Sequence, residues 1–219
     1  MGVNRVGVVS DSSLKEVAEY FDIGELTHVT RATGLANENY YVSSDRGEYV
    51  VKIIREHDLQ DVQRELLFVA RLRSYDYPVP EYITASAGSQ IFEFGEEVAV
   101  AMHRLPGAAP ELSGSVNRRL GQALAELHAV PHGDLPARMT WFNPLFLDTS
   151  INRVEEVLGI AQVEKYRVAY SKLKHLFDAP LKTAIVHGDF YFGNSLFKGD
   201  QLIAILDWEE VCVAPRLFD

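Results

Sequence analysis

The feature that most constrains the fold is a change of hydrophobic period part-way along the chain. Leu14, Val17, Ala18 and Phe21 recur at i, i+3, i+4 and i+7, the stripe of an amphipathic helix, and Ser13 with Glu16 reads as its capping box. The period then shortens. Residues 26–33, 40–44 and 48–54 are rich in Val, Ile, Thr and Tyr, as strands are, and Asp45-Arg46-Gly47 joins the second to the third as a hairpin-type turn. A helix is predicted over 59–74, with Val62, Leu66, Val69 and Ala70 on one face and Pro78 and Pro80 beyond its end. Strands return at 82–85, 90–94 and 97–103, the last two turning at Gly95. This order implies an antiparallel sheet carrying one important helix.

Leu105-Pro106-Gly107 and the small residues after it break the pattern, so a lobe boundary is expected there, dividing residues 1–104 from 105–219. Beyond it the chain turns helical. Leu120, Ala123, Leu124 and Leu127 form one stripe, Val154, Val157, Leu158 and Ala161 a second, and Val163, Tyr166, Tyr170 and Leu173 a third. All three are expected to face a core. Short strands close the chain at 184–186 and 202–206, and the class is α+β.

Charge narrows the function. With 21 Lys and Arg against 31 Asp and Glu, the formal net charge is −10, and no basic run exists to neutralise a phosphate backbone. No nucleic-acid partner is expected. Cys212 is the only cysteine, which rules out an internal disulfide framework and a Cys-based zinc site. Asp11, Lys15, Glu16 and Glu19 occupy the place where a signal peptide needs an apolar stretch, and no segment reaches the ~20 apolar residues of a membrane span. The expectation is a cytoplasmic protein with no membrane partner.

Chemistry concentrates in His187-Gly188-Asp189-Phe190-Tyr191-Phe192-Gly193-Asn194 and in Ile205-Leu206-Asp207-Trp208-Glu209. Two short apolar strands flank a polar loop, and each delivers a carboxylate at its end. A carboxylate there can act as base toward a hydroxyl. An Asn and a second carboxylate nearby can hold Mg²⁺, a hard ion that takes oxygen ligands and shares them with phosphates. Phosphoryl transfer asks a protein mainly for such positioning and charge neutralisation.

His-x-Asp, an Asn five residues after the Asp and an Asp thirteen further on resemble the catalytic and metal loops of the aminoglycoside phosphotransferases and their relatives, the choline kinases and homoserine kinases of the same fold. The resemblance runs through almost the whole chain. It implies a protein-kinase-like bilobal fold: an antiparallel N-lobe sheet with one key helix for nucleotide binding, and a mainly helical C-lobe with the catalytic and metal loops. It implies ATP and Mg²⁺ as cofactors and a small-molecule hydroxyl as acceptor. Asp189 would be the catalytic base, and Asn194 and Asp207 the Mg²⁺ ligands. His187 would brace the loop, and Asp219 matches the aspartate that steadies it. Lys52, in Tyr49-Val50-Val51-Lys52-Ile53, matches the lysine that reaches the ATP phosphates, and Glu65 the glutamate that holds that lysine. Met102-His103-Arg104-Leu105 resembles the linker whose backbone, at His103 and Leu105, hydrogen-bonds adenine. Gly34 to Tyr40 occupies the place of the phosphate-covering loop without the glycine pattern of protein kinases.

Each residue has a plainer rival. A Lys in a strand is usually a solvated edge residue, and a lone Glu on a helix usually faces water. His187 to Asn194 stands apart, because a random loop rarely carries three polar types at these spacings. His132-Gly133-Asp134 is an internal decoy: Met139 stands where the Asn should be, and the stretch reads as a loop. His28, His57 and His175 lack partner spacing, and Cys212 lacks the His and Asn of a thiol nucleophile.

Asn37-Glu38-Asn39-Tyr40-Tyr41-Val42 and the stretch from Cys212 to Asp219 are similar to homoserine kinases, which makes homoserine the first acceptor to consider. Aminoglycosides and choline or ethanolamine remain alternatives, as does a non-catalytic nucleotide-binding module. A metal-dependent hydrolase built on His187, Asp189 and Asp207 would need more His or carboxylate ligands. Protein substrates are disfavoured by the lack of Asp-Phe-Gly and Ala-Pro-Glu. Relatives continue for many residues past the motif at Asp219, so the expectation is a fragment or a shortened protein lacking C-terminal helices.

Overall fold

The computed structural model describes residues 9–32, 37–55, 58–95, 97–137, 144–177 and 180–219. They form two compact units: residues 1–66 with 79–107, and residues 67–78 with 108–219.

The first unit is built on a five-stranded antiparallel sheet of β1 (Leu26–Arg31), β2 (Glu38–Ser44), β3 (Gly47–Ile54), β4 (Phe92–Phe94) and β5 (Glu97–His103), in the order β1-β2-β3-β5-β4. Alternation decides what the sheet buries. Tyr40, Val42, Tyr49, Val51, Ile53, Ala99 and Ala101 share a core with Leu14, Val17 and Ala18 of helix α1 (Asp11–Tyr20) and with Phe21 at its C-cap. The apolar stripe of α1 is thus where its period predicted. Its cap is not: Ser10, not Ser13, is the N-cap, and its hydroxyl accepts from the Ser13 amide at 3.1 Å. Ser13 lies inside the first turn, so the expected box with Glu16 does not form.

Strand boundaries moved by a residue or two, and the expected strand at 82–85 reduces to a single antiparallel bridge between Tyr82 and Met102. The bonds around it are nonetheless sheet-like, with Ile83 N–H donating to Ala101 C=O at 2.8 Å and His103 N–H to Glu81 C=O at 3.3 Å. Helix α2 (Leu59–Arg73) follows β3, and residues 59–66 belong to the first unit.

In the second unit, helix α3 (Gly114–Ala129) buries Val116, Leu120, Ala123 and Leu127, the expected stripe apart from Leu124, and Ser113 caps it. Two short antiparallel pairs carry the loops: β6 (Thr183–Val186) with β9 (Cys212–Pro215), and β7 (Ser195–Lys198) with β8 (Gln201–Ile205). The strands expected at 184–186 and 202–206 lie within β6 and within β8 and Leu206; β7 and β9 were not expected.

Helices α4 (Pro144–Leu158) and α5 (Ile160–Leu173) overturn the expectation of two core stripes. Val154, Val157, Leu158, Tyr166 and Leu173 are 41–81% exposed, and of these stripes only Val163 is buried. Gly159, with φ 83, ends one helix before the next, so residues 154–161 never share one face. Polar pairs reach across instead: Arg167 of α5 with Glu155 and Asn152 of α4, and Lys174, just past α5, with Asp148. Among the described residues, no helix is long and apolar enough to cross a membrane.

Candidate active site

The loop between β6 and β7 is shaped by His187. Its ring is fully buried, 4.5 Å from the Trp208 ring, which is itself fully buried and donates through its indole N–H to Ile205 C=O at 2.9 Å. Nδ1 of His187 accepts from the Asp189 amide at 3.2 Å, and Nε2 meets Leu206 C=O at 2.8 Å. A nitrogen that accepts carries no proton, and one facing a carbonyl must donate. The imidazole is therefore the neutral Nε2–H tautomer. It ties the Asp189 backbone to the residue before Asp207.

Hairpin register brings the polar groups together. Ser195 pairs with Ile205, and the ladder extends by one bond, Leu206 N–H to Asn194 C=O at 2.8 Å. Asn194 and Asp207 thus leave the same end of the hairpin. The Asn194 amide donates through Nδ2 to Asp189 Oδ2 at 2.9 Å and to the Asp189 carbonyl at 3.0 Å. Asn194 also carries an amide oxygen and Asp207 an exposed carboxylate, both hard donors. Such a set fits Mg²⁺, which keeps waters and phosphate oxygens for its remaining positions. Asp207 has a φ of +64°, a left-handed conformation that Asp tolerates better than most side chains. Asp189 itself is exposed.

Asp219 closes the loop from the other side. Its carboxylate accepts from His187 N–H at 2.9 Å, from Gly188 N–H at 2.8 Å and from Nε2 of His128 at 3.0 Å. His128 comes from the last turn of α3. No spacing argument could find it, because it lies 91 positions from Asp219. Gly188 is required here twice over: its φ is +86°, and a Cβ would lie 2.8 Å from Glu210 Cβ and 3.1 Å from Glu210 O.

The decoy His132-Gly133-Asp134 is a surface turn. Arg71 reaches the Pro131 carbonyl at 3.3 Å and the Asp134 carboxylate at 3.4 Å, and His132 Nε2 lies 3.5 Å from Thr183 Oγ1. Met139 and His57 lie outside the described residues. His28 bonds Thr30 Oγ1 at 2.9 Å on the outer strand β1. His175 is exposed on a 3₁₀ turn, and Cys212 is buried on β9 opposite Val186.

The nucleotide-binding expectations fall within the first unit. Lys52, on β3 between Asn39 of β2 and Val100 of β5, is buried, so the reading of it as a solvated edge residue fails. Glu65 on α2 is also buried and accepts from the Tyr82 hydroxyl at 2.5 Å. At the end of β5, Arg104 N–H donates to Glu48 C=O at 3.0 Å, and the His103 ring leans on Tyr49 with centroids 5.3 Å apart. Leu105 follows, half-buried. Of the expected phosphate-covering stretch, residues 34–36 lie outside the described part.

Asn37 and Glu38, which follow that stretch, are buried. Asn37 Oδ1 accepts from Arg55 N–H at 2.7 Å, while Glu38 takes Tyr40 OH at 2.6 Å and Arg55 Nε at 3.0 Å. Arg55 also pairs with Glu97. Burial would raise the Glu38 carboxyl, but the Tyr40 hydrogen bond and the Arg55 and Arg31 charges outweigh it and hold it below the ordinary carboxylate value. Burial and the same carboxylate push the Tyr40 phenol up to about 12.

Comparison with known proteins settles the family. The profile of the phosphotransferase enzyme family matches residues 28–219. The chain belongs to that family. Among curated relatives, the homoserine kinase of Methylobacillus flagellatus is 24% identical over 220 residues, spanning 96% of this chain and 67% of its own length. The homoserine kinase of Methylobacterium radiotolerans is 26% identical over 223 residues, spanning 96% and 68%. Among solved structures, spectinomycin phosphotransferase APH(9)-Ia in complex with ADP and spectinomycin superposes with a TM-score of 0.76 at 15% identity, covering 97% of this chain and 72% of that one. Amicoumacin kinase in complex with AMP-PNP, Ca²⁺ and Ami gives 0.72 at 14% identity, covering 96% and 66%. The fold of this phosphotransferase is the α+β, kinase-like fold of those enzymes, and by class it is a small-molecule kinase.

Proposed function

We propose that this phosphotransferase moves the γ-phosphoryl group of ATP to a hydroxyl of a small molecule, with homoserine the first acceptor to try. The observation that carries the reading is the pairing of Asp189 with Asn194 at 2.9 Å, next to Asp207 across the β7–β8 hairpin. A base and two oxygen donors held this way form a phosphoryl-transfer site in which the protein supplies position and charge.

In this reading Asp189 accepts a hydrogen bond from the acceptor hydroxyl and takes its proton as the new O–P bond forms and the bond to the β-phosphate oxygen breaks. Asn194 and Asp207 hold Mg²⁺, which when bound neutralises charge on the phosphate oxygens. Lys52 reaches those phosphates and Glu65 holds Lys52. Adenine is taken by the backbone at His103 and Leu105. His187 and Asp219 fix the loop that carries the base. The homoserine assignment draws on the named relatives, and aminoglycosides, choline and ethanolamine belong in the same assay because the solved neighbours include spectinomycin and amicoumacin kinases.

The test is ADP release from MgATP with each acceptor in turn, in wild type and in Asp189→Asn. Stimulation by one compound is expected, and the variant should lose at least about a hundredfold in kcat, the lower range of general-base effects, with nucleotide affinity kept. Normal turnover by the variant would remove Asp189 as base. Silence across the panel with nucleotide still bound would favour the non-catalytic module.

A further inference from the structure

Glu65 holds a bond that its proposed role does not use. Its Oε1 accepts from the Tyr82 hydroxyl at 2.5 Å, and both side chains are buried, Tyr82 at 8% and Glu65 at 5% exposure. Tyr82 is not free to swing. Its backbone bridges Met102 in antiparallel fashion, its neighbours make the bonds of Ile83 to Ala101 and Glu81 to His103, and its carbonyl accepts from Gln90 Nε2 at 3.2 Å. One residue therefore has its main chain on the strand that ends at His103 and its side chain on the carboxylate of α2.

We propose that Tyr82 is a positioning residue that links the base-binding edge of the nucleotide site to its phosphate-binding lysine, acting through Glu65. This rests on the reading of Lys52, Glu65, His103 and Leu105 given above. A carboxylate on a helix side chain has rotational freedom, and a short bond from an anchored phenol removes it. Tyr82 takes one oxygen of Glu65, and in the reading given above the other is the one that meets Lys52. Tyr82 thereby makes the lysine's place depend on the strand that meets adenine. Removing the hydroxyl leaves a buried carboxylate oxygen without its donor, so the carboxylate reorients and Lys52 with it. The base-binding backbone is untouched by that change.

The experiment compares dissociation constants for MgATP and for adenosine, by calorimetry, in wild type, Tyr82→Phe, Glu65→Gln and the double variant. Tyr82→Phe removes one oxygen and should weaken MgATP about tenfold, one charge-assisted hydrogen bond, with adenosine unchanged within about twofold. In the Glu65→Gln background the same substitution should do nothing further, because contacts that act as a unit are not additive. Glu65→Asp, which draws the carboxylate back from the same hydroxyl, should mimic Tyr82→Phe and serves if that variant folds poorly. Equal weakening of MgATP and adenosine would reduce Tyr82 to a strand-packing residue, and additive effects with Glu65→Gln would remove the link through the carboxylate. A wild type that gains no affinity from the phosphates, and behaves as Lys52→Ala does, would instead overturn the nucleotide-site reading itself.

Discussion

Replacing Asp219 by Ala should cost the second unit more stability than any other single change to the catalytic loop. The side chain is fully buried and accepts three hydrogen bonds, from His187 N–H, Gly188 N–H and His128 Nε2. Hydrogen bonds to a charged group contribute about 1.5–3 kcal/mol each, which for three sets a gross figure of about 4.5–9 kcal/mol. That sum is too high, since Gly188 is half-buried and its amide can find water. The His187 amide sits in a fully buried residue and cannot rehydrate without opening the loop. A net loss of about 3–5 kcal/mol follows. His128→Ala removes only one of the three donors and leaves both amides held, so about 1–2 kcal/mol is expected. The measurement is urea denaturation followed by tryptophan fluorescence in a Trp141→Phe background, which leaves Trp208 as the sole reporter. Trp208 packs on His187 and belongs to the second unit, so the transition it reports is that unit's. A midpoint shift in Asp219→Ala worth less than about 1 kcal/mol, or one no larger than that of His128→Ala, would refute the reasoning.

Two further outcomes follow from the geometry. Gly188→Ala places a side chain in a left-handed conformation against the Glu210 backbone, and should destabilise by about 2–3 kcal/mol and cut kcat about a hundredfold by displacing Asp189; retained turnover would show that the loop yields easily. Glu38→Gln should cost about 2 kcal/mol near neutral pH, measured by thermal or urea unfolding. Because the folded carboxyl titrates below its ordinary value of 4.5, its contribution is complete above that pH and is lost as pH falls through the lower folded value. The gap between wild type and variant should therefore close in acid. Tyr40 titrates the other way: its raised phenol contributes fully below about pH 10 and loses that contribution as pH rises toward about 12. A gap between wild type and Glu38→Gln that is constant from neutral to acid pH would rule out the ion-paired Glu38.

What the sequence made legible was what local spacing encodes. His187, Asp189 and Asn194 sit on one loop, so their separations are nearly a geometric statement, and a hairpin of two short strands brings Asp207 beside them by register. The sheet was legible because alternation at Tyr40 and Val42, and at Tyr49, Val51 and Ile53, is a direct record of which face is buried. His128 and Tyr82 were not legible, since each acts through a partner distant in sequence and neither sits in a motif. The cap of α1 was misplaced because Ser10, Ser12 and Ser13 all carry hydroxyls, and only the backbone entry angle at Ser10 selects among them.

Helices α4 and α5 mark where a periodic pattern stops being evidence for a core. Apolar spacing says that a helix has a face, but burial needs a partner for it. Val154, Val157 and Leu158 of α4 and Tyr166 and Leu173 of α5 keep much of that face open, while the described bonds across them run through Arg167, Glu155, Asn152, Lys174 and Asp148. The loop that carries Asp189 has described partners within the second unit: the His187 ring packs on Trp208, and the Asp219 carboxylate accepts from the His187 and Gly188 amides. Substitutions on the exposed face of α4 and α5 should therefore leave the Asp189–Asn194 pairing intact, whereas the same loss of volume or charge at Asp219 or His187 should remove the support of the Asp189 loop.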